Sequence, residues 1–200
     1  MSRDVCRWPV SLLLPAVLLA GCASLFPEPP PPPRGFDFGP LPAAGSSQPL
    51  PEAVTLATVR APSWLDGPEI RYRQLDRHPG ALSAYAGSEW VAPPAELLEQ
   101  RLRHRLAAMP PPEHAGVPPL RLDIELQAFE QLFEGPRQAT VVASARATLA
   151  RRGAPAQSRV FSIEAPSTPD VAGATRSLPR AADALVEAIL AWLSAEITVD

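Results

Sequence analysis

Lysine is absent from this chain: all 18 basic residues among its 200 are arginine. We read this as coding bias rather than as a demand for bidentate contacts, for which arginine is otherwise the preferred cation. Set against 21 Asp and Glu, the arginines leave a formal charge of -3, which gives no sign of the basic face that nucleic-acid binding requires. Cysteine is nearly as scarce. Cys6 and Cys22 both lie near the start, so nothing beyond them can form a disulfide, a zinc-thiolate site or a thiol nucleophile. The histidines, His78, His104 and His114, are scattered without metal-ligand spacing. There is no G-x-S-x-G elbow, no G-x-x-x-x-G-K phosphate loop and no H-E-x-x-H helix. Ser63 or Ser88 with His78 would be the only local hydrolytic set, and neither serine sits on a recognisable nucleophile turn. Asp123 and Glu125 share one face of a strand, where a solvated surface is the simpler reading than paired acid-base work. The expectation is a chain that is not an enzyme and carries no cofactor or metal.

Long apolar runs are also missing. The stretch from Trp8 to Leu19 follows Arg3 and Arg7 and is too short to cross a bilayer, but it fits a signal peptide. It ends in Leu19-Ala20-Gly21-Cys22, which resembles the lipobox at which bacterial lipoproteins are acylated and cut. Residues 1–21 are then the cleaved leader, and Cys22 becomes an acylated N-terminus that holds the protein to a membrane without spanning it. An ordinary cleavage site at Gly21-Cys22-Ala23 and an uncleaved anchor are the competing readings. Ala23 and Ser24 are uncharged, and lipoproteins similar to this one without an Asp after the Cys go to the outer membrane, facing the periplasm of a Gram-negative cell.

Proline, by contrast, is abundant, with 27 residues in all and an unbroken run from Pro29 to Pro33. Residues 22–33 are therefore expected to form a stiff tether, able to lift the folded part roughly 30 Å from the membrane. Residues 34–200 form a single domain. Within it, Val54 to Val59 alternates with period two and reads as a strand, and Asp66-Gly67-Pro68 turns the chain into a shorter strand at Ile70 to Arg73. Pro93-Pro94 opens a helix whose Leu97, Leu98, Arg101, Leu102 and Leu106 fall on one side. Arg101, Arg103, His104 and Arg105 of that helix read either as a wet face or as a set that touches phospholipid headgroups.

The strict alternation of Leu120, Leu122, Ile124 and Leu126 with polar residues predicts a half-buried strand. Thr140 to Leu149 and Arg159 to Glu164 follow as strands of an antiparallel meander, and the alanines of the former predict close packing by a helix. From Leu178 to Leu193 apolar residues step by three and four, which predicts a C-terminal helix; Asp170 caps an earlier turn, and Pro179 either kinks this helix or marks its start. The fold class that follows is α/β: a single-domain sandwich with a mixed, mostly antiparallel sheet covered by helices. Trp64, Tyr72, Tyr85 and Trp90 cluster in what reads as a loop-rich stretch, where they form either a partner-binding surface or a small core that pins the loop.

The block from Arg60-Ala61-Pro62-Ser63-Trp64-Leu65-Asp66-Gly67-Pro68 through Ile70-Arg71-Tyr72-Arg73, with Tyr85, Glu89-Trp90 and Pro93-Pro94-Ala95-Glu96-Leu97-Leu98, resembles the ABC-type transport auxiliary lipoprotein family. The resemblance runs from the lipobox through Phe36-Asp37-Phe38 to the C-terminal helix near Trp192, with departures in the long Pro-rich tether, the Pro110 to Pro119 loop and Pro179. It implies a non-catalytic outer-membrane component of a lipid transport system. Its partners would be a mammalian-cell-entry-domain protein and an ABC transporter permease and ATPase, and a homo-oligomer is plausible against a tubular partner. The alternatives are a stand-alone periplasmic lipid carrier or an envelope lipid hydrolase.

Overall fold

A computed structural model describes residues 31–42, 50–110 and 118–198. Cys22, the leader, most of the tether and His114 lie outside the described residues. The chain divides into two units, Met1–Pro32 and Pro33–Asp200, and the second is described here by itself.

The central strand is β5 (Leu120–Gly135), and its alternation sets the layers. Leu120, Leu122, Ile124 and Leu126 point to one side and are fully buried, each contributing roughly 1.5–3 kcal/mol, while Arg121 and Glu125 point to the other and stay exposed. On one edge β5 pairs antiparallel along its length with β6 (Gln138–Ala150), which pairs antiparallel with β7 (Gln157–Ser167); this is the expected meander. The other edge is shared. β2 (Val54–Arg60) pairs in parallel with residues 120–125, and β3 (Glu69–Gln74) pairs in parallel with residues 130–133. A bulge in β5 between Leu126 and Ala128 falls between them, so β2 and β3 act as one strand broken by a 3-10 turn at Ser63–Leu65.

β4 (His78–Trp90) pairs antiparallel with β3, and β1 (Arg34–Phe36) pairs in parallel with β4 at the sheet edge. The stretch holding Tyr85 and Trp90 is thus a strand of 13 residues rather than a loop-rich segment. Between its pairs with Arg71 and Glu69, β4 carries extra residues relative to β3, and Gly87 (φ 67°) takes up the slack in the left-handed region.

Two helices cover the inner face. α1 (Pro94–Ala107) starts on the Pro-Pro signal and lies along β2, and α2 (Val171–Thr198) crosses β5, β6 and β7. Ala143, Ala145 and Ala147 of β6 are fully buried beneath it, the close approach their small side chains permit. Asp170 caps α2 itself rather than an earlier turn: its Oδ1 accepts the Gly173 N–H at 2.6 Å and its carbonyl accepts that of Ala174 at 3.1 Å. Pro179 therefore lies inside α2 and does not mark its start. The result is a single α/β domain with a mixed, open sheet, its longest pairings antiparallel, and both helices on the same face.

Candidate functional site

The outer face of the sheet has no helix over it among the described residues, and Trp64 stands on it. Pro62 (φ −66°, ψ 157°) delivers the chain into the 3-10 turn, closed by the Leu65 N–H on the Pro62 carbonyl at 2.8 Å. Leu65 is buried, which leaves the neighbouring indole 58% exposed above the gap between β2 and β3. A recess of about 40 Å³ beside it is lined by Arg71, Arg73, Leu82 and Ala128. The charges around it are paired in advance. Arg73 spans Glu130 (Nη2 to Oε2 3.3 Å) and the Pro79 carbonyl (3.1 Å), and Arg71 lies 3.2 Å from Glu69. Farther along this face Asp123 accepts from Arg121 (2.9 Å) and Thr58 (2.9 Å), and the Arg121 bond, ahead of that from Thr58, holds its carboxyl below the usual range. Asp123 and Glu125 are thus members of a solvated, ion-paired surface.

The other aromatics singled out in the sequence are not beside Trp64. Tyr72 and Tyr85 stack at 4.8 Å on the helix side, where the Tyr85 hydroxyl donates to Gln131 Oε1 at 2.5 Å. Gln131, fully buried, passes two bonds to Ser167 Oγ and the Thr168 carbonyl, both at 2.7 Å, joining the sheet to the start of α2. Burial pushes the Tyr85 phenol well above its ordinary pKa, so it acts as a fixed donor. Trp90 is 1% exposed and packs edge-on against Phe38 at 5.4 Å and against Phe129 at 5.8 Å. Of the four aromatics, only Trp64 is presented to solvent.

What sequence reasoning missed is the role of two α1 arginines. Neither Arg101 nor Arg105 belongs to a wet face or reaches outward to headgroups; they are 2% and 6% exposed. Arg101 donates to three consecutive carbonyls, those of Phe38, Gly39 (2.9 Å) and Pro40 (2.8 Å), and lies 3.5 Å from Asp183 of α2. Arg105 grips Glu187 through both Nε (2.8 Å) and Nη2 (3.0 Å). The segment that follows β1 is thereby tied to both helices. Only their positions on the apolar side of the α1 helical wheel, beside Leu98 and Leu102, signalled burial. Arg103, by contrast, is exposed and pairs with Glu99.

His78 and Ser88 stand near opposite ends of β4, roughly 30 Å apart at the rise of a strand. Among the described residues no cluster of His, Cys, Asp and Glu could hold a metal ion, and no helix is long and apolar enough to cross a membrane.

The described residues form a mixed sheet with both helices on one face, an exposed outer face and a short strand, β1, at one edge. The chain belongs to the family described as the ABC-type transport auxiliary lipoprotein component, which matches residues 37–190. The fold is shared with the crystal structure of a Xanthomonas campestris protein assigned to DUF330, at 20% identity and TM-score 0.64 over 82% of this chain and 93% of that one. It is shared also with an uncharacterised protein at 17% identity and TM-score 0.61, over 82% of this chain and all of that one. No curated protein matches the sequence. Membership makes this chain a lipoprotein component auxiliary to ABC-type transport, and a membrane-anchored place in the envelope fits it.

Proposed function

We propose that the chain is acylated at Cys22, sits on the periplasmic face of the outer membrane and holds one end of a mammalian-cell-entry-domain lipid transport conduit. The leader is residues 1–21, residues 22–33 are the tether, and residues 34–200 are the docking domain. The ATPase supplies energy elsewhere, so this domain needs only rigidity and a contact surface. The observation that carries the reading is Trp64, a large aromatic held out on an uncovered sheet face by a buried neighbour, Leu65. Exposed tryptophans at such positions are the anchors through which interfaces gain most of their affinity. The paired charges around it keep the face soluble until a partner covers it.

Tyr72, Tyr85 and Trp90 support this surface from behind by fixing β3 and β4, and Trp64 makes the contact. A homo-oligomer matched to a tubular partner would have to form through surfaces other than the Trp64 face. The test is Trp64→Ala in the acylated protein, compared with wild type for recovery of the mammalian-cell-entry-domain subunit after crosslinking. Loss of at least roughly tenfold is expected for an anchor residue; unchanged recovery would remove Trp64 from the interface.

A further inference from the structure

The inner edge of the domain carries a second surface. Between β1 and α2 runs a groove of about 440 Å³, lined by Arg34, Arg176 and Arg180 together with Asp37 and Asp183. Elsewhere most arginines of the described residues are ion-paired, from Arg71 with Glu69 to Arg151 with Glu52. These three have no ion pair among the described residues: Arg34 lies over the Phe36 ring at 5.1 Å, Arg176 donates to the Thr168 hydroxyl at 3.1 Å while adding to the field on Asp170, and Arg180 is exposed. Both carboxylates that line the groove are already engaged. Asp37 Oδ1 accepts the Gly39 N–H at 2.8 Å, and Asp183 faces buried Arg101 at 3.5 Å. Three guanidinium groups thus face two carboxylates, one of which also faces Arg101, so the groove keeps a local excess of positive charge on a chain whose net charge is -3.

Its place in the chain matters equally. Arg34 follows the proline run directly, and the twelve positions from Cys22 to Arg34 keep it within roughly 40 Å of the acylated residue at full extension. We propose that this groove is a docking site for the phosphodiester headgroup of an anionic phospholipid in the membrane to which the protein is anchored. Arg176 and Arg180, one turn apart on α2, and Arg34 on β1 offer guanidinium forks from two sides, the geometry that suits phosphate oxygens. Headgroup binding there would set the orientation of the domain at the end of its tether and turn the opposite, Trp64-bearing region to the partner. The inference rests on the proposed anchoring at Cys22.

The test uses the acylated protein in nanodiscs of phosphatidylcholine alone or with phosphatidylglycerol, read by amide hydrogen exchange in peptides spanning 34–40 and 172–184. Protection that appears only with phosphatidylglycerol is expected, and Arg34→Gln/Arg180→Gln should lose it by roughly tenfold or more in lipid affinity. Among the described residues neither side chain has an ion pair or a hydrogen bond, so the variant should keep its melting temperature. Arg137→Gln/Arg152→Gln, at the turns of the meander, should keep the protection. Equal exchange in both lipids, or protection reproduced by inorganic phosphate at matched concentration, would overturn the proposal. So would protection that appears only when a transporter subunit is added. Flotation with the discs and the mass of the Cys22 peptide report on anchoring separately, so failure of the anchor is distinguishable from failure of the groove.

Discussion

Arg101, itself buried, holds three backbone carbonyls and one partly exposed carboxylate. Replacing it with Met keeps the apolar stem and abandons all four acceptors, which should destabilise the domain by about 3–5 kcal/mol. Urea denaturation would measure this, and amide hydrogen exchange should rise first at Phe38 and Gly39. The two tryptophans make a contrasting pair. Trp90→Ala opens a cavity between Phe38 and Phe129 and should cost about 3–5 kcal/mol, whereas Trp64→Ala should change stability by no more than about 0.5 kcal/mol. Urea midpoints of the two variants decide the assignment, since equal losses would place Trp64 in the core. At this scale the sequence was legible in kind and not in place. An aromatic cluster can be read from residue types, but which rings share a face depends on pairings that bring Trp90 beside Phe38 across β1 and β4. Arg101 was read as outward, despite its place on the leucine side of α1, because the carbonyls that satisfy it lie more than sixty residues away.

The start of α2 is set by Asp170 and Gly173 together. The Gly173 N–H and then the Thr168 hydroxyl bond the ionised Asp170 carboxylate, lowering its pKa. A carboxyl whose pKa is lower in the fold than in the unfolded chain contributes stability above the ordinary carboxylate range, and that contribution is lost as pH falls through the folded value. Asp170→Asn should keep the cap and flatten the acid limb of the melting curve below about pH 5, whereas Asp170→Ala should also lower the melting temperature at neutral pH. Asp183 runs the other way. Burial raises it against the pull of Arg101, so its contribution is present at low pH and lost as pH rises through its folded pKa. Gly173→Ala should be more disruptive than an ordinary helix substitution, because a Cβ there would overlap the Thr168 carbonyl oxygen; circular dichroism melting would show a lower midpoint instead of the small gain alanine gives in open helices.

Helices and the meander were legible because their periodicity is local. β4 was not: Pro79, Gly80, Gly87 and a run of Ala and Ser hide a strand that β3 and β1 hold from both sides. Nor could period-two alternation reveal that β2 and β3 share one edge of β5.

At the scale of the whole domain, one sheet face is closed by helices and the other is left open among the described residues, with a broken strand pair presenting Trp64. Arg101 locks the segment after β1 into the domain, so a load along the tether that detached β1 would be stopped at residues 38–40, which are tied to both helices. These features suit a fixed end-piece of a larger assembly. Family membership establishes the transport setting, and the partner is the central claim. It is tested most directly by mild crosslinking of intact envelopes, purification of the acylated protein and mass-spectrometric identification of what accompanies it. Recovery of a mammalian-cell-entry-domain subunit or its permease, crosslinked to peptides of the open sheet face, is the predicted result; repeated recovery of lipid with no transporter subunit would contradict the account.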